Sequence, residues 1–290
     1  LLLPGATLAF VVPPSMNSGA YFESLREHII SRARITDLTL LEGNAIFESA
    51  NTAAQLLVLR KDDRTDGGSG ERSGAADRTP ARKFVFERQD DEAGFRRVIF
   101  SRSPEALEAG FDGRQTLWQL GYEAVTGTVV WNQHREDLRQ QAGAETVPLV
   151  WSRDLRGGTL DLEPGLNGRR SGGPEPVPES RPRDIAQEPT EDKPGYVTGR
   201  PALRGPALLV NRVVGSVGRG ALRTGFVPAG TGFVAENHVN VIRPRSSSRQ
   251  LILWEELQSR LSHPDAGDRL RLLTGNTQIS ATELTHLLPV

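Results

Sequence analysis

Gly5-Ala6-Thr7-Leu8-Ala9-Phe10-Val11-Val12-Pro13-Pro14-Ser15, near the start of the chain, decides how the rest is read. An apolar run closed by two prolines is a strand leaving its sheet, because proline has no N–H to give to a ladder. Outward from it, a helix-like stretch covers Tyr21 to Ala33, and Ile35-Thr36-Asp37-Leu38-Thr39-Leu40-Leu41 supplies a second strand. Ala45-Ile46-Phe47-Glu48 follows, and Thr52 to Lys61 supplies a third strand. This β–α–β–loop–β order defines an α/β arrangement. The apolar run is no membrane span. It is short, Pro4 and Gly5 interrupt it, and it has neither a basic flank nor a cleavage-site pattern.

A chain of 290 residues is long enough for one large or two ordinary domains. Its 37% apolar content is low because long stretches are rich in Gly, Pro, Ser and Arg. There is no Cys, which excludes disulfides and thiolate metal sites and fits a reducing compartment, so a soluble cytoplasmic protein is expected. The five His residues (28, 134, 238, 263 and 286) show no ligand spacing, so no metal is expected. A net charge of −1 argues against a protein that coats nucleic acid, but the charge is unevenly spread. Between Arg204 and Arg249 stand seven arginines (204, 212, 219, 223, 243, 245 and 249) and one acid, Glu236. Lys occurs only at 61, 83 and 193. GC-rich coding accounts for such a bias as readily as selection does, yet Arg also suits bidentate contact with phosphate and guanine.

Two stretches lack any apolar periodicity. Residues 62–82 mix acidic and Arg side chains with Gly, Ser and Ala, and 169–194 carries six prolines among charges. Both read as flexible insertions that cannot bury enough surface to offset their ordering entropy. Between them, Phe84 to Arg88 and Phe95 to Phe100 form a predicted hairpin around Asp90-Asp91-Glu92. Strands are expected at 147–151, 159–162, 207–212, 220–227 and 238–244, and a polar helix at 132–141. Leu251, Trp254, Leu257 and Leu261 have helical spacing, as does 270–273. A last helix begins at Ser280, with Glu283 placed to complete a capping box. The expected organisation is 1–61, an insertion at 62–82, a connecting hairpin region at 83–114, and a mixed α/β domain at 115–290 containing the Pro-rich insertion. Gly215, Gly218 and Gly220 do not have dinucleotide-loop spacing and read as tight strand turns.

These segments resemble, in order, the adenine-N6 DNA methyltransferases of restriction–modification systems. The run into Pro13-Pro14-Ser15 and the Asn17-to-Arg26 turn and helix are similar to the strand and crossover that follow the family's catalytic loop. An isolated Phe after Ile reads as a core residue. In the family's pattern, however, Phe47 takes the place of an aromatic that stacks on the target adenine, flipped out because the duplex hides its exocyclic amine. Thr146 to Leu155 looks like the opening of a target-recognition domain. Pro206 to Arg219, Asn237 to Pro244 and Gly275 to Leu284, with Leu287-Leu288-Pro289, resemble its later elements. The resemblance implies a C-terminal remnant of a Rossmann-like methyltransferase domain followed by a mixed α/β target-recognition domain.

The resemblance also implies double-stranded DNA as partner, with contacts from Arg153, Arg212, Arg219, Arg223, Asn237 and Gln278. Arg212, at the end of an apolar strand, is the first choice for a base edge. The family's Gly-rich cofactor loop and its Asn/Asp-Pro-Pro-aromatic tetrad are absent. S-adenosylmethionine is therefore expected to serve the intact enzyme and not to bind this chain alone. The missing chemistry is expected to precede Leu1, and the protein partner is expected to be that N-terminal catalytic part or a restriction subunit. A non-enzymatic specificity-subunit-like protein is the alternative, and residues 1–61 speak against it because such a subunit has no use for a Rossmann-type segment.

Overall fold

The computed structural model describes residues 2–41, 54–62, 83–162, 193–212, 222–246, 248–274 and 278–290. Phe47, Arg219, the three glycines at 215, 218 and 220, and nearly all of both predicted insertions lie outside the described residues. The chain is α/β with several sheets, divided into two compact units.

Unit 1 opens with β1 (Thr7–Val12), helix α1 (Glu23–Arg32), β2 (Ala33–Leu41) and β3 (Ala54–Lys61). The sheet order is β1-β3-β2, with β3 antiparallel to both neighbours. β1 and β2 are therefore parallel, as the β–α–β reading requires, but a later strand is inserted between them. β3 is central, and Ala54, Gln55, Leu57 and Leu59 along it are buried. β1 is apolar yet remains at an edge among the described residues, leaving Phe10 46% and Val11 57% exposed. The predicted hairpin is β4 (Val85–Asp90) with β5 (Phe95–Phe100). β5 alternates as a strand between two cores must. Val98 and Phe100 join Met16, Ile29, Leu38 and Leu57, while Ile99 joins Leu107, Leu273 and Leu287. Helix α2 (Pro104–Gly110) then starts with Pro in its first turn, where the missing N–H costs nothing.

The chain enters unit 2 after Gln119 and leaves it after His263. This unit holds β6 (Tyr122–Thr126), β7 (Leu138–Arg139), β8 (Thr146–Val150), β9 (Tyr196–Thr198), β10 (Leu203–Arg204), β11 (Ala207–Asn211), β12 (Thr224–Val227), β13 (Gly232–Ala235), β14 (Val239–Pro244) and helix α3 (Trp254–Ser262). They form two sheets, β10-β13-β8-β9-β7 and β12-β11-β14-β6. Val150, Phe233 and Ala235 from the first share a core with Leu209, Val227, Val239 and Val241 from the second. On the other face of the first sheet, Leu149, Trp151, Val197 and Val234 pack with Val129.

Two elements depart from the sequence reading. The stretch 132–141, expected as a helix, instead forms a short 3-10 turn (Arg135–Asp137) leading into β7. Leu138 is its one apolar residue, so a helix there would have no stripe to bury, whereas Leu138 pairs with Val197 and Thr198 Oγ1 donates to the Asp137 carbonyl. The expected strand 159–162 makes only a single bridge, Thr159 to Phe226, while Leu160 and Leu162 turn into the core.

Residues 264–290, read from the sequence as the end of the second domain, pack in unit 1. They form α4 (Pro264–Thr274) and α5 (Ala281–His286). The capping box is formed: Ser280 N and Oγ both donate to Glu283 Oε2, and Glu283 N donates to Ser280 Oγ. The end of the chain lies beside residues 115–118, with Val290 N donating to the Gln115 carbonyl, Trp118 N to the Thr285 carbonyl, and a bridge joining Thr116 to Pro289.

The loop after β1 is the most heavily tied part of unit 1. Arg26, 0% exposed, donates from Nε to the Val98 carbonyl (2.6 Å) and from Nη1 to those of Met16 (3.0 Å) and Gly19 (2.8 Å). Burial, reinforced by Arg97, lowers its pKa to about 10. Arg97 Nη1 donates to the Ser18 carbonyl while its guanidinium pairs with Glu23. The amides of Asn17 and Gln55 bond each other twice, and Ser18 Oγ donates to Glu283 Oε1 at 2.6 Å. Residues from β3, β5, α1 and α5 thus fix one loop at the carboxyl end of β1.

Candidate nucleic-acid interface

In unit 2, β8 and β13 run parallel, with Leu149 opposite Val234 and Val150 opposite Ala235, so their carboxyl ends emerge together. Ligands of open α/β sheets gather at such ends. A 3-10 turn, Ser152–Asp154, follows β8, and Asp154 Oδ2 caps it by accepting from Trp151 N. The segment Glu236-Asn237-His238 follows β13. Backbone bonds draw further chain ends to the same place: Glu236 N donates to the Val150 carbonyl, Asn237 N to Val129, Arg212 N to His238 and Asn211 N to Arg223. The end of β11 and the start of β12 therefore join the ends of β8 and β13.

This convergence gathers four of the residues singled out from the sequence. Arg153 is exposed, and its Nη2 lies 3.4 Å from the Lys193 carbonyl. Arg223 is exposed, and its Nη2 donates to Ser152 Oγ at 3.1 Å. Arg212 and Asn237 are half-buried, with Arg212 Nη1 3.4 Å from the Asn237 carbonyl. Arg212 Nε and Asn237 Oδ1 are screened from solvent without a hydrogen-bond partner, a cost that structure alone does not explain. Gln278 is exposed and belongs to unit 1. Phe47 and Arg219 fall outside the described residues.

The structure adds three residues that sequence reasoning did not select. Ser152 orients Arg223. Lys193 sits 4.5 Å above the Trp151 ring, whose Nε1 donates to the Pro194 carbonyl. His238 pairs with Glu236, whose carboxylate accepts from His238 N (2.8 Å) and from Nδ1 (2.9 and 3.0 Å). The lone acid in the Arg204–Arg249 stretch, with a His two residues on, is the visible signal for that pair. Both carboxylates of the cluster are thus engaged internally, Asp154 as a cap and Glu236 beneath His238. Beside them stand four basic side chains, Arg153, Lys193, Arg212 and Arg223. Gly127 makes the packing possible: a Cβ there would come within 2.1 Å of the Glu236 carbonyl oxygen.

Among the described residues, no group of three or more His, Asp or Glu is arranged to hold a metal ion, and no helix is long and apolar enough to cross a membrane. The second unit thus gathers Arg153, Arg212 and Arg223 at converging strand ends. No family model matches the chain. It is similar to the type II methyltransferase M.BsuBI of Bacillus subtilis, 22% identical over 300 residues, with 98% of this chain covered and 55% of that protein. The chain thus spans about half the length of the curated relative it matches, to which it is distantly related.

Proposed function

We propose that the chain is part of a site-specific adenine-N6 DNA methyltransferase of a restriction–modification system, with unit 2 recognising the target duplex. In this reading unit 1 corresponds to the closing part of the catalytic domain, and Phe47 stacks on the flipped adenine. The observation that carries the reading is the convergence of Arg153, Arg212, Arg223 and Asn237 at the carboxyl ends of β8 and β13. Distant similarity to a type II methyltransferase across nearly the whole chain supports it.

S-adenosylmethionine would supply the methyl group in the intact enzyme, but the residues after β1 do not fit it. The loop at the carboxyl end of β1 is closed on itself, since the Met16, Ser18 and Gly19 carbonyls are already taken by Arg26 and Arg97. A Cβ at Gly19 would meet the Ser15 carbonyl oxygen at 2.6 Å, so that glycine accommodates the loop's own backbone rather than a ligand. On this reading the cofactor site and the catalytic tetrad are supplied by a partner segment or subunit, and the exposed apolar edge of β1 is where its sheet would continue.

The test is alanine substitution of Arg153, Arg212 and Arg223, with binding to random and selection-enriched duplexes measured across a salt series. An arginine that grips phosphate should, once replaced, weaken binding to all sequences alike and reduce the salt slope by about one. An arginine that reads a base should, once replaced, cut discrimination by about 1–3 kcal/mol, and Arg212 is the position expected to do so. If all three variants bind every duplex as the parent does, the recognition reading is wrong.

A further inference from the structure

Glu236 is 1% exposed, and burial of a carboxylate is unfavourable unless it is closely paired. All of its side-chain bonds go to one residue, His238, whose backbone N and ring Nδ1 engage both oxygens. The backbone beneath it is fixed too, since Glu236 N donates to the Val150 carbonyl and its own carbonyl accepts from Val239 N. His238 is 33% exposed at the ring and is the least buried member of the pair. A carboxylate at hydrogen-bond distance fixes the proton on Nδ1, so the charge of the ring is decided at Nε2.

The charged groups at this end come from each element meeting there. They are Glu236 itself, Arg212 from the end of β11, the Arg223 that precedes β12, Arg153 and Asp154 from the turn after β8, and Lys193 over Trp151. Residues 127–131, which also meet this end, contribute none.

We propose that His238 is a further DNA contact of this face, pairing as imidazolium with a backbone phosphate, and that Glu236 is the positioning residue that holds it. The inference rests on the recognition reading above and adds a pH term to it. Histidine is the side chain that ordinarily changes charge between about pH 5 and 8. A phosphate contact made by an imidazolium is present on the acid side of the ring's own titration and absent on the alkaline side.

The experiment uses the full chain and a random-sequence duplex, with affinity measured over a salt series at about pH 6 and about pH 8. The parent's salt slope should be steeper by about 0.9 at the lower pH. His238→Gln should show the shallower slope at both pH values, and His238→Lys, permanently charged, the steeper slope at both. Glu236→Gln should shrink the difference while leaving the alkaline slope as in the parent. A slope in the parent that does not change with pH overturns the inference, as does a pH difference that survives in His238→Gln. Either result leaves the recognition reading intact if the Arg variants still weaken binding. Failure of the folded parent to bind DNA at either pH overturns the recognition reading and this inference together.

Discussion

Replacing Arg26 by Met would remove three donors at once from the loop after β1. The Val98, Met16 and Gly19 carbonyls, now bonded at 2.6, 3.0 and 2.8 Å, would face a thioether chain that donates nothing. A hydrogen bond to a charged group contributes about 1.5–3 kcal/mol, and three would suggest a larger loss than is expected in practice. The offset is the guanidinium's own burial, which is unfavourable enough to hold its pKa at about 10. The net loss should be about 3–5 kcal/mol, the range for breaking a buried charged network from one side. For a unit of this size that is roughly a 10 °C fall in melting temperature. Thermal denaturation would measure the fall, and amide exchange at Met16, Asn17, Gly19 and Phe22 would locate it, since those N–H groups bond within the loop. Arg26→Lys, which keeps the charge on a single nitrogen, should fall between. A Met variant that melts within about 2 °C of the parent, with unchanged loop exchange, would show that the carbonyls find water easily and that Arg26 does not organise the loop.

Gly127→Ala should destabilise unit 2 by about 1–3 kcal/mol in urea unfolding, because its Cβ would fall 2.1 Å from the Glu236 carbonyl oxygen and backbone would have to shift. DNA affinity should fall further than stability explains, as the same shift disturbs Asn237 and His238. In the intact enzyme, Phe47→Ala should lower methylation well beyond its effect on duplex binding, at about 1–3 kcal/mol, with Phe47→Trp retaining much of the activity. Unimpaired turnover by the alanine variant would return Phe47 to a core role.

The strands that can be read from the sequence are those with one apolar face or two. β2, β5, β8, β11 and β14 carry apolar residues that the structure buries, while β1 is legible from its apolar run although much of it is exposed. The capping box at Ser280 is also legible, because its chemistry is local. What cannot be read is pairing over distance. Nothing in residues 54–61 says that they slip between β1 and β2, and nothing in 285–290 says that they lie beside 115–118. The short strands β7, β9 and β10 have too few residues for a period, and neighbours, not propensity, set their conformation. At the candidate interface, Arg212, Arg223 and Arg153 are visible as basic residues at strand ends. Lys193 follows a Pro-rich stretch with no strand pattern, so its position over Trp151 comes only from the fold. His238 is one of five scattered histidines in the sequence, and only the fold sets it on Glu236.

The bridge between Thr116 and Pro289 sets an order of events during synthesis. Domains generally fold as units as the ribosome releases them, the N-terminal one first. Here the first unit to begin cannot be the first to finish: Thr116 emerges early and waits for Pro289, and Ser18 waits for Glu283. Everything from Leu120 to His263 is released in between and can complete its own two sheets meanwhile. Closing the long covalent loop costs entropy that grows only slowly with its length, and a loop already collapsed into a folded unit is effectively shorter than its residue count. A translation stall before Glu283 and Pro289 emerge would thus leave a nascent chain with unit 2 finished and unit 1 open.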